Sequence, residues 1–119
     1  MSSVLIVGCD PAARFCVERA AAERGVRGAY CSSLDAARAA HESASFVAAI
    51  VDAGCLGPSA SGDGVLADTA RAYSRLIVVC GLHRLAEFRR AGVFATLTTP
   101  FTFVDVGRVL ERIGPSAVV

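Results

Sequence analysis

A chain of 119 residues with a hydrophobic share of 54% fills one domain with its own core, and a net charge of +1 offers no positive field for nucleic acid or an anionic membrane. No apolar run approaches bilayer length and the chain enters a strand pattern at once, which reads as a soluble, cytoplasmic protein. The five cysteines, at 9, 16, 31, 55 and 80, make no C-x-x-C pair and are odd in number, so free thiols are expected and not a disulfide framework.

Val4-Leu5-Ile6-Val7 is a short apolar run of the kind that forms a strand buried on both faces, halted by Gly8. Asp10 can cap the helix that follows and Pro11 suits its first turn, giving a helix from 11 to about 24 that Gly25 stops. Residues 28–31 read as a weaker second strand, and Ser32-Ser33 offers a cap for a second helix, 34 to about 41, with His41 at its end in a surface role. The run Phe46 to Val51 reads as a third, central strand ending on Asp52. An acid there either lines the crevice where open α/β sheets bind ligands or merely caps the next loop. The glycine- and serine-rich stretch 53–64 is too long for a tight turn. A third helix at about 65–73, a fourth strand at 76–80 and a fourth helix at about 84–91, with Arg84, Glu87, Arg89 and Arg90 on its wet side, come next. A fifth strand at about 94–97 is broken by Thr98-Thr99-Pro100, and a fifth helix at about 103–113 closes the domain. Residues 1–114 thus form one domain with a loose tail at 115–119. Five strands alternating with five helices, joined by right-handed crossovers, predict an α/β flavodoxin-like, doubly wound parallel sheet in the order 2-1-3-4-5, with two helices on one face and three on the other.

Nucleotide and enzyme fingerprints are missing. Gly54-Cys55-Leu56-Gly57 lacks the Gly-Lys-Ser/Thr of a P-loop, no G-x-G-x-x-G follows the first strand, and His83 near Asp52 would lack a positioned nucleophile. The chain reads as no enzyme, and no cofactor is expected.

With these elements in order, the chain resembles a response-regulator receiver domain (CheY-like) from Val4 to Ile113. The resemblance is carried by Leu5-Ile6-Val7-Gly8-Cys9-Asp10-Pro11, Ala49-Ile50-Val51-Asp52, Asp63-Gly64, Leu76-Ile77-Val78-Val79-Cys80-Gly81 and Leu97-Thr98-Thr99-Pro100-Phe101. It implies a magnesium-holding acidic pair at the positions of Gly8 and Cys9, a phosphoacceptor at Asp52, a hydroxyl at Cys80, a lysine at Thr99 before a cis Pro100, and an aromatic switch at Thr96. Of these groups only Asp52 is present. Magnesium wants oxygen ligands in octahedral geometry, which glycine and cysteine do not supply. Without the lysine, phosphoryl transfer loses a second source of positive charge, and a thiol at Cys80 is a weak donor. Asp10, one step beyond the pair, either caps the helix or rescues the metal site off register.

The expectation is therefore an atypical receiver-like module for protein interaction or dimerisation, independent of phosphorylation and binding neither nucleic acid nor membrane, with no magnesium at Asp52. A slow aspartyl-phosphate receiver and a thiol-based redox or metal sensor are the alternatives. Phe88, Phe94, Phe101 and Phe103, with Arg89, Arg90 and Arg108 close by, suggest an interaction surface. They fall on the fourth helix, fifth strand and fifth helix, the usual dimer and output face of receivers; the same rings could instead fill the core. Cys9, Cys31, Cys55 and Cys80 are all expected at the sheet edge that carries Asp52, as redox or zinc ligands or as small apolar fillers.

Overall fold

The computed structural model describes residues 2–43, 45–57, 64–73 and 75–113. Asp63 of the Asp63-Gly64 landmark, most of the loop before the third helix, and the tail 115–119 lie outside the described residues.

The strands are β1 (Ser3–Val7), β2 (Arg27–Cys31), β3 (Ala48–Asp52), β4 (Leu76–Cys80) and β5 (Ala95–Thr98), and the helices are α1 (Pro11–Glu23), α2 (Leu34–Ser43), α3 (Val65–Ala72), α4 (Leu85–Arg90) and α5 (Phe103–Ile113). The sheet runs in the order β2-β1-β3-β4-β5 with every pair parallel, as expected.

Successive side chains of a strand point to opposite faces, so each buried run feeds two cores. Val4, Ile6, Ile50, Ile77 and Val79 pack with Val17, Ala20 and Ala21 of α1 and Val106, Leu110 and Ile113 of α5. Leu5, Val7, Val51, Leu76 and Val78 pack with Ala37 of α2, Leu66 of α3 and Phe88 of α4. That is the two-and-three division of helices the sequence predicts. Central strands β1, β3 and β4 are nearly sealed, whereas β2 at the edge alternates between exposed and half-buried residues.

Capping follows the local chemistry. The Asp10 carboxylate accepts the Ala13 N–H at 2.8 Å and Pro11 fills the first turn of α1, while the Ser33 hydroxyl accepts the Ala36 N–H at 3.2 Å for α2. Strand β3 starts later than its apolar run suggests: Phe46 and Val47 precede it and pack on the core from the loop, with the His41 ring 6.4 Å from Phe46 and 5.0 Å from Tyr73. On the other face, Arg24 ties α1 to α5. Its guanidinium donates to Glu111 at 2.9 Å and lies across Gly107, where a β-carbon would come within 2.9 Å of Cζ. No helix among the described residues is long and apolar enough to cross a membrane.

Candidate functional site

Parallel strands in register bring distant sequence positions to one edge. Val7 stands opposite Val51, Asp52 opposite Val79 and Cys80 opposite Thr98, so Gly8, Cys9, Asp52, Cys80 and Thr99 gather at the carboxyl ends of β1, β3, β4 and β5. This is the edge at which open α/β sheets hold ligands.

Asp52 is half-buried, and its Oδ2 accepts the Gly54 N–H at 2.9 Å, capping the short 3-10 turn Ala53–Leu56. The cap reading of this acid is the one its hydrogen bond shows, and strand register sets it at the carboxyl edge of the sheet. Asp10 is exposed, and its carboxylate serves the start of α1.

Thiols line the space around Asp52. Cys9 is buried at 4% exposure, its Sγ turned back toward the Val7 carbonyl at 3.8 Å. Burial pushes its thiol up to about 12, helped by the negative charges of Asp52 and Asp10 and by Cys55. Burial and Asp52 also raise Cys55, and burial raises Cys80 against the opposing pull of Arg84. All three shifts disfavour the thiolate, the form that acts as nucleophile and metal ligand. Among the described residues, no three His, Cys, Asp or Glu side chains converge as metal ligands would.

Gly8 adopts φ +68°, and a β-carbon built on it would overlap the Cys55 Sγ while lying only 3.9 Å from the Asp52 Cβ. The Cys55 thiol therefore occupies the space beside Asp52 into which a side chain at position 8 would project. Sequence reasoning placed Cys55 at this edge but missed its packing on Gly8, because that contact depends on the tight turn after β3.

Where the resemblance implies a lysine, Thr99 is exposed and donates both its N–H, at 2.9 Å, and its hydroxyl, at 3.4 Å, to the Cys80 carbonyl. The Thr99–Pro100 peptide is cis, as expected. Thr96, at the aromatic switch position, is half-buried on β5. An open cleft of about 360 Å³ at this edge lies between α1 and the β5–α5 connection, lined by Ala12, Ala13, Cys16, Thr99 and Phe101 among others, and does not reach Asp52. His83 folds its ring over Gly81 and is exposed.

Arg84 corrects the expectation of a solvated side chain. Only 16% exposed, it donates to Glu87 at 2.8 Å and to the Ala53 carbonyl at 3.4 Å, and its guanidinium carbon stands 4.9 Å from the Phe88 ring centre. Its Nη2 is buried without a hydrogen-bond partner. Spacing alone gives no signal for this, since the preceding 3-10 turn Leu82–Arg84 swings the side chain inward.

The proposed interaction surface is also corrected at one position. Phe88 is fully buried between α4 and the sheet, because a helix of six residues has one large ring with which to anchor itself. Phe94 and Phe103 are half-buried under Arg112 and Arg19, at 4.9 and 4.1 Å, and Phe101 is half-buried against the core. Arg89, Arg90 and Arg108 are exposed. Among the described residues the exposed large apolar side chains are Phe15, Tyr30, Leu82 and Val104; the apolar pattern of α1 would set Phe15 against the sheet with Val17, Ala20 and Ala21, but it is 64% exposed.

This architecture is the CheY-like receiver fold. The chain superposes on the chemotaxis response regulator CheY4 of Vibrio cholerae with a TM-score of 0.73 and 18% identity over 96% of this chain and 99% of that one. NtrX from Brucella abortus gives a TM-score of 0.77 and 17% identity over 98% of this chain but 28% of its own, and a response regulator from Desulfuromonas acetoxidans gives 0.75 and 15% over 95% and 96%. No protein-family profile and no curated protein sequence matches the chain.

Proposed function

We propose that this chain is a signal-transduction module of the receiver fold that works through protein contacts and not through phosphorylation of Asp52. The observation that carries the reading is the composition of the Asp52 surroundings: the side chains of Cys9, Cys55 and Cys80, a glycine at position 8, and a threonine hydroxyl that donates to a backbone carbonyl. A phosphoryl group there would meet no hard-cation ligand set, and the nearest cation, Arg84, is held by Glu87 and the Ala53 carbonyl, so both contributions on which such transfer depends are weakened. Incubation with acetyl phosphate and magnesium, followed by intact mass measurement, should leave the protein unmodified. An adduct that disappears in Asp52→Asn would establish the slow aspartyl-phosphate receiver instead.

Contacts with a partner or a second copy we assign to the face of α4, β5 and α5, whose elements carry exposed Arg89, Arg90 and Arg108 and are joined through half-buried Phe101. Arginines set among partly covered rings are typical of interfaces. Neither a nucleic acid nor a membrane is part of this reading, and the chain is not proposed as an enzyme.

A further inference from the structure

We propose that the Cys55 thiol plugs the space beside Asp52 into which a side chain at position 8 would project, and that it determines what residue position 8 accepts. This deepens the reading of a sheet edge without cation or phosphoryl chemistry, and rests on it. Two features of Gly8 are independent. Its φ of +68° disfavours most side chains, though aspartate and asparagine tolerate it best after glycine. On this backbone, the direction its β-carbon would take is blocked by Cys55 Sγ. The second obstacle can be removed from outside, by shortening residue 55.

The thiol is held where it is by the loop. Asp52 accepts the Gly54 N–H, the chain turns through Ala53–Leu56, and buried Ala53 and Leu56 anchor that turn on either side of Cys55. Gly54 has its own constraint, since a β-carbon there would come within 2.9 Å of Asp52 Oδ2. The backbone of Cys55 is thus fixed by its neighbours, and only a turn of its own side chain could clear the space. The remaining contacts at position 8 are permissive, with Asp52 Cβ and the Ser32 carbonyl at 3.9 Å. Once Sγ is gone, a carboxylate at position 8 would stand next to that of Asp52.

A double-mutant cycle in urea tests the contact. Gly8→Ala should lower the unfolding midpoint much more in the wild-type background than in Cys55→Ala, with a coupling on the order of tenfold in the folding equilibrium constant. Backbone strain at φ +68° is common to both legs and cancels. Equal losses in the two backgrounds would overturn the proposal. Manganese binding, followed by its electron paramagnetic resonance signal, supplies a second arm should Gly8→Ala not fold. Gly8→Asp/Cys9→Asp should bind no manganese, and the same protein with Cys55→Ala added should bind it. Binding with the thiol still in place, or none after its removal, overturns the plug. Binding by the wild-type chain would instead overturn the proposed function.

Discussion

Cys9 holds its proton far more tightly in the folded chain than a free thiol does, titrating at about 12 against an ordinary 9.0. The folded state therefore binds that proton better than the unfolded one, so the associated stabilisation is complete below pH 9 and is lost as the pH climbs through about 12. Cys55, Cys80 and Tyr73 are shifted in the same direction. The urea midpoint should fall as the pH is raised above about 9, and Cys9→Ala should flatten part of that fall; identical slopes would show that Cys9 is not the group responsible. At Arg84 the useful part of the side chain is its stem and planar head over Phe88, since one nitrogen is buried and unsatisfied. Arg84→Ala should cost about 1–2 kcal/mol through lost packing, while Arg84→Met, which keeps the stem, should cost less than about 1 kcal/mol by chemical denaturation. The identity of each site residue could be read directly: Asp52 on its strand end, Gly8 and Cys9 after β1, Cys80 after β4. Which of them touch could not, because the Cys55–Gly8 contact and the inward turn of Arg84 are set by two short 3-10 turns that leave no periodic trace.

At the scale of elements, the strands announce themselves as unbroken apolar runs ended by glycine or aspartate, which is what burial on both faces demands. The same logic overreached at Phe46 and Val47, where apolar residues serve the core from a loop. It was blind at α4, too short for amphipathic spacing to say which way Phe88 faces. Helix α5 holds a different compromise. Gly107 in its interior forgoes about 1 kcal/mol of helix propensity relative to alanine, and Arg24 lies in the space so left. Gly107→Ala should therefore give little or no gain in the wild-type chain, where it displaces Arg24 from Glu111. In Arg24→Ala it should stabilise by about 1 kcal/mol, and equal effects in the two backgrounds on thermal melting would show that Arg24 is not the occupant that matters.

For the whole molecule, the sheet order and the two-and-three division of helices followed from the alternation of strands and helices, since right-handed crossovers leave few arrangements. What this molecule meets was not legible: among the described residues the exposed large apolar side chains are Phe15, Tyr30, Leu82 and Val104, whereas Phe88, from the aromatic set that the sequence drew attention to, is core. Self-association through α4, β5 and α5 should appear as concentration-dependent sedimentation that weakens in Arg90→Glu. A monomer at all concentrations would move the contact to a different partner or a different face. The pairing of α1 with α5 has a further effect on how the chain comes into being. Arg24 and Glu111 are 87 residues apart, and the apolar stripe of Val17, Ala20 and Ala21 shares its core with Val106, Leu110 and Ile113. At the usual pace of synthesis, roughly 5–20 residues per second, the first helix leaves the ribosome on the order of 4–17 seconds before its cover is made. Until α5 is made the α1 stripe has only the sheet to cover it, and a ribosome stalled before α5 would hold a substrate for chaperones in place of a nearly finished domain.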